Sequence, residues 1–133
     1  VTQKIIAGSA KIKAGQLDKL QLGNLDISRD WGWAPEYVEA MWLMMQLDQP
    51  DDFVIATGRK ESLKYFVAKS FEYFDLDWQI YVEIEPSFFR PNEIASSVGN
   101  PEKAIKTLGW KKPTDIDGVI KMMCAEKAKQ SQQ

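Results

Sequence analysis

The chain has 133 residues, 44% of them hydrophobic and 27% charged, a composition typical of one globular domain. Its formal net charge is −2 and no basic stripe is visible, so a nucleic-acid partner is not expected. The chain contains no histidine, which excludes Ser-His-Asp and Cys-His catalysis and every histidine-based metal site.

Apolar periodicity predicts a first helix over residues 2–14, which a glycine ends. A short strand is expected at residues 20–22, and the Asn, Asp, Ser and Gly of residues 24–34 predict a loop. A second helix is predicted over residues 35–47, with a proline in its first turn. This helix is apolar nearly all round, so it should be buried between layers.

A short apolar run that a glycine ends, residues 53–58, is typical of a buried parallel strand. Ser62 is expected to cap a third helix over residues 63–74. Residues 75–99 are predicted to be irregular apart from a candidate strand at residues 80–84.

Two further helices are predicted near the C-terminus. Asn100 and Pro101 form the cap and first turn of one of them, and Gly109 ends it. Thr114 is expected to cap the other, with Asp117 at its third position, and the chain end at residues 130–133 should fray.

Helices alternate with only two or three strands, so the predicted class is α/β. These strands are too few for a doubly wound sheet, and the chain opens on Val1 directly into helical periodicity. Both features lead us to expect a piece of a larger fold, with an independent small α/β domain as the alternative.

The single cysteine, Cys124, cannot form a disulfide within the chain and fits a reducing compartment, so a cytoplasmic location is expected. Its apolar neighbours predict a small buried side chain rather than a nucleophile. No apolar run approaches the roughly 20 residues that a membrane-spanning helix needs, so a membrane partner is not expected.

Chemistry on a bound dinucleotide is not predicted for this chain, because no Gly-x-Gly-x-x-Gly loop is present. Tyr65 and Lys69 stand four residues apart on a predicted helix, a spacing at which the ammonium can lower the pKa of the phenol. Without a cofactor loop before them, we interpret this pair as part of an amphipathic surface helix.

Two arginines stand where they could bind phosphate. Arg29 lies in a Gly/Asp-rich loop, where its guanidinium could face a phosphate or form a surface ion pair with Asp26 or Asp30. Arg90 precedes a proline and stands three residues before Glu93. These two side chains could hold a diphosphate and a ribose together, or they could form an ion pair at a helix start.

Seven segments in order resemble GDP-mannose 4,6-dehydratases, which belong to the extended short-chain dehydrogenase/reductase superfamily. They are Val1-Thr2-Gln3-Lys4-Ile5, Leu20-Gln21-Leu22-Gly23-Asn24-Leu25-Asp26, Arg29-Asp30-Trp31-Gly32, Tyr37-Val38-Glu39-Ala40-Met41-Trp42-Leu43-Met44, Pro50-Asp51-Asp52-Phe53-Val54-Ile55-Ala56-Thr57-Gly58, Phe89-Arg90-Pro91-Asn92-Glu93 and Leu108-Gly109-Trp110-Lys111. The ordered set spans nearly the whole chain.

The resemblance implies a partial Rossmann-type fold with a few strands and about five helices, in which residues 1–133 form the C-terminal, nucleotide-sugar-binding portion. In this family NADP takes hydride from C4 of GDP-mannose, water leaves across C5–C6, and hydride returns to C6 to give GDP-4-keto-6-deoxymannose. The cofactor loop and the catalytic Thr, Glu, Tyr and Lys of the family lie in an N-terminal portion that this chain lacks. The chain alone is therefore expected to be inactive.

The resemblance also implies which residues bind GDP-mannose or GDP. Arg29 and Arg90 would contact the diphosphate, and Glu93 would accept from a ribose hydroxyl. The remaining positions are Thr2 and Lys4 near the phosphate and the backbone around Leu22, Gly23 and Asn24 at the base edge. The expected protein partner is the missing N-terminal half or a second copy of the chain.

The sequence departs from the family pattern at three places. Members often carry His at the position of Trp33 and Asp at that of Glu36, and some have a long insertion within residues 77–86. Two alternative functions remain open: a non-catalytic nucleotide-sugar-binding or structural module, and a related dehydratase or epimerase that acts on another nucleotide sugar.

Overall fold

The computed structural model describes residues 1–111 and 113–130 of the chain. Its elements are α1 (Thr2–Lys13), β1 (Leu20–Leu22), β2 (Ser28–Arg29), α2 (Ala34–Met44), β3 (Glu61–Ser62), α3 (Leu63–Tyr73), α4 (Trp78–Tyr81), β4 (Val82–Ile84), a 3-10 helix (Pro86–Phe88), α5 (Glu102–Leu108) and α6 (Ile116–Gln130). The predicted α/β class is confirmed. In this part of the chain, every helix is too short or too polar to cross a membrane.

The four strands form two separate pairs. β1 lies parallel to β4, with Leu20 opposite Val82, and β2 lies antiparallel to β3, with Ser28 opposite Ser62. The predicted strand at residues 20–22 is confirmed. The loop predicted for residues 24–34 is wrong at β2, because the backbone of this segment pairs with the residues just before α3.

The candidate strand at residues 80–84 is right only in its second half. Its first two residues belong to the short helix α4, whose start is capped because the Asp77 carboxylate accepts from the backbone N–H of Gln79. β4 therefore begins at Val82.

The main core lies where α1, α3 and α6 pack together against β1. Ile5, Phe66 and Phe71 are completely buried in it, and burial of each such side chain contributes about 1.5–3 kcal/mol. Gly8 lets β1 approach α1 closely, since a Cβ atom at this position would lie 2.8 Å from the Leu20 side chain. The apolar faces of α1 and α3 thus hold β1, and with it the turn that follows β1, in place.

Most of the predicted helix ends are confirmed. Ser62 caps α3 by accepting from the backbone N–H of Tyr65 at 3.0 Å, and Gly15 and Gly109 follow α1 and α5 with φ angles of 69° and 64°. The start of α5 is shifted by one residue from the prediction: Asn100 accepts from the N–H of Glu102, but Pro101 is the N-cap and the helix begins at Glu102.

The cap predicted for the last helix is wrong. Asp115 takes that place by accepting from the N–H of Gly118 at 2.9 Å, so Asp117 stands at the second helical position. Thr114 instead donates its N–H and its hydroxyl to the carboxylate of Glu36 in α2. The fraying predicted for residues 130–133 lies outside the described residues, apart from Gln130 at the end of α6.

A second, smaller core joins α2 to α5. It is centred on Ala40, Ala104 and Trp110, and the Trp110 indole donates to the carbonyl of Glu36 at 3.0 Å. The prediction that the second helix is buried is wrong, because Ala40 is its only buried residue. An exposed apolar face remains on and just after α2, formed by Val38, Met41, Trp42 and Met45.

The strand predicted for residues 53–58 is also wrong. No strand forms there, and the backbone of residues 53–56 makes no hydrogen bond with any described residue. Phe53 and Ile55 pack on the second core, whereas the side chain of Val54 is 54% exposed. The apolar run is present, but no neighbouring strand lies beside it.

We predict that the exposed apolar face of α2 makes the chain self-associate, because monomers rarely expose a contiguous apolar patch of this kind. Sedimentation equilibrium should show a mass that rises with protein concentration. Trp42→Glu, which places a charge in the face, should shift the chain towards the monomer. Met122→Glu, an equally drastic change at a partly exposed position of α6, is the control and should not. A monodisperse monomer with a sharp two-state melt would contradict the prediction.

Candidate functional site

An open cleft of about 430 Å³ lies between the start of α1, the turn after β1, β2 and the segment around residues 88–93. The structure brings seven of the eight binding residues expected from the sequence into its lining: Lys4, Leu22, Gly23, Asn24, Arg29, Arg90 and Glu93. The eighth, Thr2, is the first residue of α1 and does not line the cleft. Sequence reasoning did not single out the other lining residues, which are Val1, Ile27, Trp31, Leu63 and Phe88.

Lys4 is held at one end of the cleft by two contacts. Its ammonium donates to the carbonyl of Gln21 in β1 at 2.7 Å. The same atom lies 4.7 Å from the centre of the Phe88 ring, which is a cation–π contact. α1 and β1 together therefore fix a positive charge beside the 3-10 helix.

The turn after β1 forms the wall of the cleft next to Phe88. A Cβ atom at Gly23 would lie 3.1 Å from the Phe88 carbonyl oxygen, so a larger residue would push the two segments apart. Leu22 is buried and its carbonyl accepts from the N–H of Glu85, whereas Asn24 accepts from the N–H of Asp26 through its side-chain oxygen. Neither the side-chain NH₂ of Asn24 nor the backbone of Gly23 forms a hydrogen bond with any residue that the structure describes.

Arg29 makes an ion pair with Glu93 in which each side chain is about three-quarters buried. One terminal nitrogen lies 2.6 Å from the Glu93 carboxylate, and the other donates to the backbone carbonyls of Ile94 at 2.6 Å and Ser28 at 2.9 Å. The ion-pair partners considered from the sequence, Asp26 and Asp30, are therefore wrong. The pair between Arg90 and Glu93 is wrong as well, since no helix starts there and Glu93 turns to Arg29.

Arg90 is exposed and forms no hydrogen bond or ion pair with any residue that the structure describes. The lining side chains thus bring three cations, Lys4, Arg29 and Arg90, against the single carboxylate of Glu93. Two guanidinium groups with free N–H donors are suited to a planar, multiply charged oxyanion such as a phosphate or diphosphate.

Sequence reasoning treated Asp30 only as a candidate ion-pair partner, and it missed what this carboxylate does. Oδ1 accepts from the N–H and the hydroxyl of Thr57 at 2.9 and 2.6 Å. Oδ2 accepts from the N–H groups of Gly58 and Gly99 at 3.1 and 3.2 Å. Its place directly after Arg29 was the only signal in the sequence.

Trp33 and Glu36, which depart from the family pattern, both belong to the start of α2. Trp33 precedes the helix as its N-cap, without a side-chain capping bond. Glu36 accepts from Thr114 and through its backbone from Trp110, so it joins α2 to the C-terminal part of the chain. Neither residue lines the cleft.

Tyr65 and Lys69 are not arranged for proton transfer. The Tyr65 hydroxyl donates to Asp117 at 2.8 Å, and this hydrogen bond raises the pKa of the phenol. Lys69 pairs with Glu72 at 2.8 Å, which raises the pKa of the ammonium. Both groups are thus shifted away from the deprotonated forms that acid–base catalysis would use, which supports the interpretation of α3 as an amphipathic surface helix.

Cys124 is not a nucleophile in the folded chain. Its side chain is 0% exposed within the main core, and burial raises the pKa of the thiol to about 12. The thiolate is the reactive form of cysteine, so this residue has a packing role, as the sequence predicted.

Comparison with known proteins gives a consistent family. A family model described as GDP-mannose 4,6 dehydratase matches residues 1–123. GDP-mannose 4,6 dehydratase 2 of Arabidopsis thaliana is 47% identical over 126 residues, which is 95% of this chain and 34% of that relative. GDP-mannose 4,6 dehydratase of Homo sapiens is 41% identical, over 92% of this chain and 38% of the relative. The chain thus spans about a third of the length of these relatives.

Solved structures show the same fold. RMD from Pseudomonas aeruginosa complexed with NADPH matches 97% of this chain and 42% of its own, with a TM-score of 0.84 and 14% identity. UDP-glucose 4-epimerase from Bifidobacterium longum in complex with NAD+ and UDP matches 94% of this chain and 39% of its own, with a TM-score of 0.74 and 21% identity. The expected partial fold of the extended short-chain dehydrogenases is thereby confirmed.

We predict that the thiol of Cys124 reacts with a disulfide reagent only when the chain unfolds, so its labelling rate should follow the population of the open state. Because burial raises the pKa of the thiol, the unfolded chain ionises it from about pH 9 whereas the folded chain keeps it protonated to about pH 12. The free energy of unfolding should therefore be unaffected by this thiol below about pH 9 and should fall between about pH 9 and 12, at about 1.4 kcal/mol per pH unit. Urea melts of the wild type and Cys124→Ala across this range would measure the difference. Rapid labelling of the native chain would contradict the prediction.

Proposed function

The chain belongs to the GDP-mannose 4,6-dehydratase family, and from this membership we propose that it is the nucleotide-sugar-binding portion of an enzyme that converts GDP-mannose into GDP-4-keto-6-deoxymannose. The observation that carries the proposal is the convergence of Lys4, Arg29 and Arg90 on one cleft that also contains the carboxylate of Glu93. This combination matches a ligand with a diphosphate at one point and vicinal hydroxyl donors at another.

The two arginines are proposed to bind the diphosphate in different ways. Arg90 has its whole guanidinium free, so it can approach a phosphate with two parallel N–H donors. Arg29 is already fixed by Glu93 and by the carbonyls of Ser28 and Ile94, so less side-chain freedom is lost when a ligand meets its remaining donors. Lys4 adds a point charge at the same cleft.

Glu93 is proposed to hold the ribose. Its Oε1 atom accepts a hydrogen bond from the Arg29 guanidinium, and its Oε2 atom has no hydrogen-bond partner among the described residues. A carboxylate can accept from Arg29 through one oxygen and from a ribose hydroxyl through the other. The Arg29 guanidinium also keeps this carboxylate from repelling the nearby diphosphate.

The base is proposed to meet the turn after β1. Gly23 offers bare backbone groups there, and the side-chain NH₂ of Asn24 is free to donate to a ring nitrogen or carbonyl. Phe88 stands beside this turn, half exposed, and provides an apolar surface. Since the arginine and glutamate contacts do not involve the base, this turn is the part of the described cleft that is proposed to distinguish guanine from uracil.

A uridine nucleotide sugar is therefore the second candidate ligand, because a structural neighbour of the same fold was solved with UDP. NADP is proposed as the cofactor of the whole enzyme, but the residues of this chain do not fit it. The sequence has no glycine-rich dinucleotide loop between a strand and a helix, so no redox step is assigned to any residue here. The contribution of the chain is to bind and orient the nucleotide sugar.

The remaining parts of the proposal concern its surroundings. The rest of the family fold, supplied by an N-terminal portion or by another copy of the chain, would provide the cofactor and the catalytic residues. Because the sequence offers a single buried thiol, a cytoplasmic location is proposed as well.

We predict that GDP binds to the purified chain more tightly than UDP does, and that Arg90→Ala weakens GDP binding by about tenfold or more, the effect of losing a hydrogen bond to a charged group. Isothermal titration calorimetry would measure both. Arg90→Lys keeps the charge but removes the planar pair of donors, so it should recover only part of the affinity.

Lys111→Ala removes an exposed positive charge outside the cleft and is the matched control, so its GDP affinity should equal that of the wild type. Equal affinities for GDP and UDP would favour the second candidate ligand. A folded chain that binds neither nucleotide would overturn the proposal that the site is preformed here.

We predict that Glu93 and the ribose hydroxyls are energetically coupled. Glu93→Ala should weaken the binding of GDP. It should change the binding of 2′,3′-dideoxy-GDP much less, because the dideoxy nucleotide lacks the hydroxyl groups that would donate to Glu93. The four affinities form a double-mutant cycle, with a coupling of about 1 kcal/mol or more for a hydrogen bond to a charged group. A coupling of zero would show that Glu93 acts only through Arg29.

A further inference from the structure

Two of the proposed binding residues stand on a segment with almost no regular structure of its own. We define the site strap as residues 90–99, which begins with Arg90 and includes Glu93. All of its residues are exposed except Glu93 and Gly99, and no helix or extended strand runs through it. The position of both binding residues therefore depends on what fastens the strap to the rest of the fold.

Three consecutive residues around β2 supply most of the fastening. Ser28 donates its N–H to the carbonyl of Ala95 and accepts from the N–H of Ser97. Arg29 holds Glu93 and the carbonyl of Ile94. Asp30 accepts from the N–H of Gly99 at the end of the strap. Lys60 adds one exposed contact to Ser96.

The strap end at Gly99 is tightly placed. A Cβ atom there would lie 2.5 Å from the side chain of Ala56, so only a glycine lets the strap backbone reach the Asp30 carboxylate. The same Asp30 oxygen also accepts from Gly58, whereas the other oxygen is used entirely by Thr57. One carboxylate thus joins β2, the turn at residues 57–58 and the strap.

We propose that Asp30 is a positioning residue for the nucleotide-sugar site, which acts by holding the strap so that Glu93 and Arg90 stay beside Arg29 in the lining of the cleft. Asp30 itself does not line the cleft, so it works through the strap rather than through the ligand. The proposal rests on the proposed function for the identity of the ligand, but not for the effect of Asp30 on the strap.

Because the two Asp30 oxygens have different partners, one variant can be chosen to affect the strap contact and another to leave it in place. Asp30→Asn keeps a single acceptor oxygen, and when that oxygen faces the N–H and hydroxyl of Thr57, the NH₂ group faces Gly58 and Gly99 and cannot accept from them. Thr57→Val removes the hydroxyl that donates to the first oxygen and leaves the Gly99 contact in place. The two variants perturb the same carboxylate, and only the first releases the strap.

The experiment measures amide hydrogen exchange at residues 93–99 and the affinity for GDP, in the wild type and in both variants. Urea melts of the same three proteins measure their global stability. In Asp30→Asn the amides of Gly99 and Ser97 should exchange about tenfold faster, and GDP should bind about tenfold more weakly. In Thr57→Val the strap amides should exchange as in the wild type, and the GDP affinity should stay within about twofold. If Asp30→Asn does not fold, Asp30→Glu, which keeps both oxygens but moves them by one methylene, should show the same two effects in weaker form.

Equal strap exchange in Asp30→Asn and the wild type would overturn the proposal, as would faster exchange without any loss of GDP affinity. It would also be overturned if both variants lost affinity in proportion to their loss of stability, because that result indicates a general structural role. A wild-type chain that does not bind GDP would instead contradict the proposed function, and the exchange data would then decide the role of Asp30 alone.

Discussion

The ion pair between Arg29 and Glu93 is the interaction on which the cleft depends. Each side chain is about three-quarters buried, so each would carry a desolvated charge without the other. Pairing removes that penalty, and the two backbone carbonyls that Arg29 also binds fix the direction of its guanidinium. The pair therefore orders an arginine that lines the cleft and a segment without regular structure at the same time.

The charge of the cleft follows from this pairing. Since Glu93 neutralises Arg29 in part, most of the uncompensated positive charge among the lining side chains belongs to Arg90 and Lys4. Interactions of such exposed charges with an anion are screened over about 8–10 Å at physiological salt, whereas the largely buried ion pair is screened much less. The site thus combines attraction that depends on ionic strength with a fixed geometry that does not.

Much of the fold could be predicted from local sequence patterns, and the rest depended on contacts between distant residues. The periodicity around Ile5 and the cap at Ser62 act within one helix turn, so the sequence was sufficient for α1 and α3. The partners of Arg29 and Thr114 lie 64 and 78 residues away, and no spacing rule connects them. The prediction of a buried strand at residues 53–58 was wrong for a different reason. An apolar run is typical of a strand that lies beside another strand, and the described residues provide no such strand next to it.

The position of α6 in the main core has a consequence for the synthesis of the chain. α6 follows every other element that the structure describes, and it packs against both α1 and α3 through residues such as Ile120 and Cys124. Translation proceeds at about 5–20 residues per second, so the apolar sides of α1 and α3 wait several seconds for their last partner. During that time the apolar surfaces that α6 covers stay exposed, which favours the binding of chaperones to the nascent polypeptide.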